Sequence, residues 1–278
     1  MKKFFETTDN FEQIIKNNFN DVIKIEKVLN GWTNFVFIIE LKSKDKYFFR
    51  FPRNDFFSDA IVSEVKFNNF VKGKISFKTT DLKLMYDNNR PYSVHKIIKG
   101  KNLYEVLDFM PQDKKVSLCN SICLFIKELQ AIDYTECKDI QLLSEFLYNL
   151  AIISRHNNVY DFSVHNVLIE KEKNEFLVLN HGDLNPGNIL INDNYEIEAI
   201  LDFAFCTKSC DLEDLSRIIG RMPKEYKNML INSYENIFNK KVNIQELESL
   251  IKMWNYVDKN YIDYMKVFCP DVALPKNI

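Results

Sequence analysis

The stretch FLVLNHGDLNPGNILINDNYEIEAILDFA, residues 176–204, decides how the rest of the sequence is read. Its apolar runs at 176–179, 189–191 and 197–201 have the length of short buried strands. Polar side chains stand at the ends of those runs: His181, Asp183, Asn188 and Asp202. Glycine is scarce, 6 residues in 278, where an average usage of ~7% would give ~19. Two of the six, Gly182 and Gly187, fall inside this stretch. A chain so sparing of glycine places one where backbone geometry demands it.

The order His-x-Asp, four residues, Asn, then a later Asp-Phe is the order in which phosphoryl-transfer sites carry their polar groups. In such sites the first Asp orients the acceptor hydroxyl, and the Asn and second Asp hold the metal on the phosphates. Phosphoryl transfer needs in-line positioning and charge neutralisation more than covalent help. Asn plus Asp gives magnesium two hard oxygen ligands and leaves places for phosphates and water.

Working outward, residues 7–18 read as a short amphipathic helix with Thr8 or Asp9 as its N-cap. Strands at 22–29, 35–41 and 47–51 follow, the first two joined by a turn at 30–34 and the third stopped by Pro52. Residues 58–71 read as a helix with Glu64 in its middle, and 77–86 and 92–98 as a further hairpin. From Leu103 onward the pattern turns helical, with helices at 116–132 and 139–154, and at 211–220, 224–238 and 243–268 beyond the opening stretch. The end, 269–278, reads as an extended tail. A strand-rich first hundred residues followed by a helical remainder is an α+β, two-lobed pattern: an N-terminal lobe over 1–98 built on a five-stranded antiparallel sheet, and a mainly helical C-terminal lobe over 99–278.

Composition is that of a globular protein, 46% hydrophobic and 27% charged. A net charge of −2 with scattered Lys and Arg argues against a nucleic-acid or anionic-membrane surface. No apolar run approaches the ~18 residues of a membrane helix, and acids follow the N-terminal lysines before any apolar segment. A cytoplasmic protein, monomeric or weakly dimeric, is expected. The six cysteines include Cys119 and Cys123 one helical turn apart, and Cys206 with Cys210, neither at zinc-knuckle spacing. They read as buried reduced thiols. His156, His165 and His95 read as structural residues.

HGDLNPGNIL, followed by ILDF and by Asp214 twelve positions beyond Asp202, resembles the aminoglycoside phosphotransferase and choline kinase superfamily. The resemblance continues upstream through Gly-Trp-Thr-Asn at 31–34, Phe-Arg-Phe-Pro at 49–52, Glu64, and Lys-Ile-Ile-Lys-Gly at 96–100, and so spans about residues 20–220. It implies a protein-kinase-like fold and a small-molecule kinase that uses ATP or GTP with Mg2+. Asp183 is then the catalytic base or hydroxyl-orienting group, and Asn188 and Asp202 are the magnesium ligands. Arg50 contacts the α/β-phosphates and pairs with Glu64, Thr33 and Asn34 lie near the phosphates, and the main chain of Lys96 and Ile98 reads the base. His181 braces the loop, and Asp214 accepts loop amides. The sequence departs from the family pattern at Ala204, where glycine is common, and at Cys210-Asp211-Leu212, where Gly-Asp-Pro is common.

For the acceptor, the resemblance directs attention to the C-terminal helices, where Asp211, Glu213, Trp254, Tyr256, Asp258, Tyr261, Asp263 and Tyr264 mix acids with aromatics. That mixture suits a cationic acceptor, an aminosugar through carboxylates or choline through an aromatic cage. An aminoglycoside-like aminosugar is the favoured acceptor, and choline, ethanolamine, another amino-alcohol or a sugar are the alternatives. Two other classes compete: a metal-dependent hydrolase using His181, Asp183 and Asp202, which would want more His ligands than the chain offers nearby, and a catalytically inactive kinase-like binding module.

Overall fold

The computed structural model describes residues 5–29, 31, 33–137, 140–154 and 160–268. Asn30 and Trp32 of the first turn, His156 and the tail 269–278 lie outside the described residues. The chain divides into two compact units: Met1–Asn69 with Thr80–Ile98 and Tyr264–Ile278, and Phe70–Thr79 with Lys99–Asp263.

The first unit carries α1 (Phe11–Asn18), β1 (Val22–Val28), β2 (Asn34–Leu41), β3 (Lys46–Pro52), α2 (Asp55–Val71), β4 (Lys83–Asp87) and β5 (Arg90–Lys96). The strands form one antiparallel sheet in the order β1-β2-β3-β5-β4. Side chains alternate across the pleat, so Phe35, Phe37 and Ile39 of β2, Phe49 and Phe51 of β3, and Tyr92 and Val94 of β5 share one buried face. Phe5, Phe11 and Ile15 cover that face. Each buried Phe contributes roughly 2–3 kcal/mol of transfer free energy, so packing holds a helix of 8 residues that would be marginal alone. Its N-cap is Asn10, whose Oδ1 accepts the Gln13 amide at 3.1 Å. Asp9, one of the expected caps, instead takes Arg90 at 2.7 Å.

The opposite face of the sheet carries Arg50, Ser93, Phe48 and His95, with Arg50 registered against Ser93 and Phe48 against His95. The strand expected over 77–86 is shorter, Lys83–Asp87. Side chains claim the earlier residues: Asn68 Nδ2 donates to the Thr80 carbonyl at 2.5 Å, and the Glu128 carboxylate accepts the Ser76 amide at 2.6 Å.

The second unit contains β6 (Lys101–Asn102), α3 (Leu103–Val106), α4 (Gln112–Gln130), α5 (Leu143–Ser154), α6 (Asn166–Asn174), β7 (Val178–Asn180), β8 (Ile189–Ile191), β9 (Ile197–Ile200), β10 (Thr207–Ser209), α7 (Glu213–Arg221), α8 (Lys224–Phe238) and most of α9 (Ile244–Phe268). Small sheets β6-β8-β9 and β10-β7 sit among the helices. The core is formed by α4, through Leu118, Ile122, Phe125, Ile126 and Leu129, with Leu230 and Tyr234 of α8. The described cysteines, Cys119, Cys123, Cys137, Cys206 and Cys210, are free and buried, and burial pushes the Cys119 thiol up to about 12. His165 is bonded to the Tyr160 hydroxyl at 2.9 Å. The fold is α+β, with a five-stranded antiparallel sheet and a mainly helical remainder.

Candidate active site

In the first unit β3 and α2 bring Arg50 and Glu64 together as an ion pair, with side chains 15% and 3% exposed. The Arg50 Nε also donates to Ser93 Oγ at 3.1 Å. Glu64 is therefore no solvated helix residue, and its position fixes where the guanidinium points. At the turn before β2, Asn34 Nδ2 donates to Thr33 Oγ1 at 2.7 Å, and Arg53 gathers the loop by donating to the Gly31 and Thr33 carbonyls at 3.3 and 3.1 Å. A Cβ on Gly31 would lie 2.5 Å from the Asn34 carbonyl oxygen, so this tight turn admits only glycine.

At the end of β5 the Ile97 amide donates to the Lys46 carbonyl of β3 at 2.8 Å. Alternation turns the main chain of Lys96 and Ile98 the other way, where β4 has already ended at Lys83 opposite Val94. The Lys96 side chain points away and pairs with Asp45 at 2.6 Å. His95 is a neutral residue here, because burial, and after it the charge of Arg50, pulls its pKa down to about 3.

In the second unit the loop after β7 is held almost wholly by side chains. Asp214, fully buried at the start of α7, accepts the His181 amide at 2.9 Å and the Gly182 amide at 3.1 Å. Gly182 has φ +75°, and a Cβ there would lie 1.9 Å from the Phe205 carbonyl oxygen. The His181 ring makes two contacts: its Nε2 meets the Leu201 carbonyl at 2.9 Å, and its Nδ1 accepts the Asp183 amide at 3.3 Å. One nitrogen donates and the other accepts, which assigns the neutral ring with its proton on Nε2. His181 braces; it is not placed to react.

Asp183 is fixed on both sides of its carboxylate. Oδ1 accepts from Arg217 Nε and Nη2 at 3.0 and 2.7 Å, and Oδ2 from Asn188 Nδ2 at 3.2 Å. The same Asn188 nitrogen also reaches the Asp183 carbonyl at 2.9 Å. With its nitrogen so engaged, Asn188 has its Oδ1 left as the atom to offer a cation. Asp202 stands beside it, because the Leu201 amide donates to the Asn188 carbonyl at 2.8 Å and β8 pairs with β9. Its backbone is left-handed, φ 63° and ψ 69°, a cost of order 1–3 kcal/mol that such sites carry. An amide oxygen and a carboxylate side by side fit Mg2+, which takes its other ligands from phosphates and water. Among the described residues no group of three or more His, Cys, Asp or Glu could hold a metal by itself.

A profile described as the phosphotransferase enzyme family matches residues 24–238. The chain belongs to that family. No curated protein matches it. Among solved structures it is similar to an APH(2")-type enzyme in complex with GDP and kanamycin, at 17% identity over 94% of this chain and 93% of that one, with a TM-score of 0.72. A GDP complex of an aminoglycoside 2'-phosphotransferase matches at 16% identity, 96% and 98% coverage and TM-score 0.70. Macrolide 2'-phosphotransferase MphH from Brachybacterium faecium, an apoenzyme, matches at 11%, 95% and 98% coverage and TM-score 0.65. At these identities the likeness is one of fold.

The residues expected to meet the acceptor are placed as follows in the second unit. Asp258 does lie near Asp183, but its Oδ2 accepts from Arg217 Nη1 at 2.6 Å and from Arg221 Nη2 at 2.5 Å. Trp254 is buried, with the Arg217 guanidinium 4.3 Å from its ring centre, so it packs a side chain and not a ligand. Asp211 pairs with Lys240 at 2.6 Å. Glu213 is fully buried next to Asp214, and burial, then the neighbouring charge, pushes its carboxyl well above the usual range. Burial raises the Asp214 carboxyl too, but there His181 and the two loop amides oppose the shift. Tyr256 accepts the Asp161 amide at 2.8 Å, and Tyr261 is half-buried on α9. Sequence reading missed Arg217 and Arg221. The available signal was their spacing of four on the helix that begins beside Asp214, which puts them on one face. No helix of the described residues is long and apolar enough to cross a membrane.

Proposed function

We propose that this phosphotransferase moves the γ-phosphoryl group of ATP or GTP to a hydroxyl of a small molecule. The observation that carries the reading is the clamping of Asp183: Arg217 holds Oδ1 while Asn188 touches Oδ2, which leaves an oriented Oδ2 lone pair for an incoming hydroxyl. In the step, the bond from the γ-phosphorus to the bridging oxygen breaks and the nucleoside diphosphate leaves. A bond forms from the acceptor oxygen to phosphorus, and the hydroxyl proton passes to Asp183. Asn188 Oδ1 and Asp202 would hold Mg2+, which when bound would supply charge neutralisation on the phosphates. Arg50, oriented by Glu64, contacts the α/β-phosphates. Thr33 and Asn34 cover phosphate oxygens, and the main chain of Lys96 and Ile98 meets the base. Structures of similar fold solved with kanamycin and with streptomycin support an aminosugar hydroxyl as acceptor.

The test is nucleotide consumption by the purified protein with Mg2+ and ATP or GTP over a panel of hydroxylated acceptors. Asp183→Asn is expected to lower turnover by roughly 10²–10⁴ while nucleotide still binds. Unchanged turnover in that variant sinks the mechanism. Silence with every acceptor, together with intact nucleotide binding, favours the inactive-module reading.

A further inference from the structure

The chemistry above leaves one buried acid of the second unit unused. Glu213 opens α7 and is 0% exposed, and both of its carboxyl oxygens are buried with no donor reaching them. Its side chain is in hydrogen-bond contact with that of Asp214, the next residue and equally buried. Both Asp214 oxygens are already engaged by the loop, Oδ2 by the His181 amide at 2.9 Å and Oδ1 by the Gly182 amide at 3.1 Å.

An ionised carboxylate accepts hydrogen bonds and gives none. Two of them in contact and out of water would repel each other and lose their hydration together. A proton therefore lies between the two side chains. Asp214 has two amides to hold a negative charge, at a helix N-terminus that favours one. Glu213 has no donor at all, so the proton belongs on Glu213, whose hydroxyl donates to Asp214.

The other ionisable groups facing the pair agree with one shared proton. Burial and then the Asp214 charge raise the Glu213 carboxyl; Arg217, one turn along α7, opposes this less, and gives its hydrogen bonds to Asp183 and Asp258. From the loop, the Asp183 charge raises Glu213 further, while His181 opposes the rise at Asp214. The Cys206 and Cys210 thiols and the Tyr234 hydroxyl of α8 are held protonated by burial and add no charge. A charged Glu213 would draw on the same guanidinium that supports Asp183, so the proton also keeps Arg217 for that carboxylate.

We propose that Glu213 is a positioning residue: as the neutral member of a proton-sharing carboxyl pair it donates to Asp214, and through Asp214 it holds the His181–Gly182 backbone that presents Asp183. Its part in turnover rests on the phosphoryl-transfer reading above; its part in the loop does not.

The test compares wild type with Glu213→Gln, whose amide still donates to Asp214 but cannot titrate, and with Glu213→Met, which keeps the volume and removes the donor. Near-ultraviolet circular dichroism reports that each is folded. The infrared difference between wild type and Glu213→Gln at pH 6 should show the carbonyl stretch of a neutral carboxyl and no carboxylate bands. Urea unfolding between pH 5 and 7 should show the wild-type unfolding constant rising against that of Glu213→Gln by roughly tenfold per unit, because the unfolded chain releases this proton above about 4.3 and the fold keeps it. His95 acts with the opposite sign in both proteins and cancels in the ratio. The His181 and Gly182 amides should exchange with deuterium at least about tenfold faster in Glu213→Met, and within about threefold of wild type in Glu213→Gln. With an acceptor that is turned over, kcat should fall at least about tenfold in Glu213→Met with a smaller change in nucleotide KM, and Glu213→Gln should recover part of the loss. Carboxylate bands in the difference spectrum, or parallel pH series, mean an ionised Glu213 and overturn the proposal. Unchanged exchange of the two amides in Glu213→Met overturns it as well, and should that variant not fold, loss of their protection in Glu213→Gln does so. No turnover by wild type, with the spectrum and the exchange as stated, overturns the phosphoryl-transfer reading and leaves the pair standing.

Discussion

In the first unit Arg50 pairs with Glu64 and spends its Nε on Ser93; in the second, Arg217 spans Asp183 and Asp258 while Arg221 closes on the same Asp258 oxygen. The first arrangement points a single guanidinium. The second shares charge among four side chains, so that no member can change state without the others registering it. On the proposed reading the difference separates two jobs for arginine in one chain: a fixed ligand for phosphate, and the support of a carboxylate that would itself gain a proton.

The comparison breaks most visibly at Arg217. Arg217→Met leaves Asp183 and Asp258 without their shared partner, and removal of one member of a buried charge network costs about 3–5 kcal/mol. Urea unfolding should show that loss, and kcat should fall with it. Glu64→Gln keeps a hydrogen-bond acceptor and should cost less, roughly 1–3 kcal/mol, with a raised KM for the nucleotide and little change in that for the acceptor. Equal stability losses in the two variants would remove the distinction between pair and network.

A smaller effect concerns the face behind Arg50. The folded protein protonates His95 only near pH 3, whereas an unfolded chain does so near pH 6.5. The unfolded state therefore binds the extra proton between those values, and stability falls as pH drops from 6.5 towards 3, by roughly 1.4 kcal/mol per unit. His95→Gln should remove that slope from chemical denaturation series between pH 6 and 4; an unchanged slope would mean that the ring is not kept neutral. The smallest effect is expected at Lys96, whose ion pair with Asp45 is exposed on both sides, 58% and 39%. Lys96→Ala should alter stability by less than about 1 kcal/mol and leave nucleotide KM unchanged, because on the proposed reading its main chain and not its side chain would meet the base.

The loop after β7 was legible in the sequence because its contacts are local. Asp183 and Asn188 hydrogen-bond across five positions, and Gly182 is required by contact with a carbonyl only 23 residues on. The five-stranded sheet was legible for the same reason, since its alternating aromatics announce a buried face. The start of β4 was not, because Asn68 and Glu128 draw 76–80 out of the strand and neither preference shows in a pattern of apolar residues. The acceptor side was least legible. Which acids on the last helices are free to meet a ligand depends on what they pair with, and Asp258 is claimed by Arg217 from 41 positions away. Charge sign is written in a sequence; charge partnership is not.

The three consecutive amides of His181, Gly182 and Asp183 are each spent on a side chain, two on Asp214 and one on the His181 ring. The conformational entropy of this segment is therefore surrendered during folding and not again when an acceptor arrives. On the proposed reading an acceptor would meet a preorganised carboxylate, and the binding energy that an induced loop would consume would stay available for the transition state.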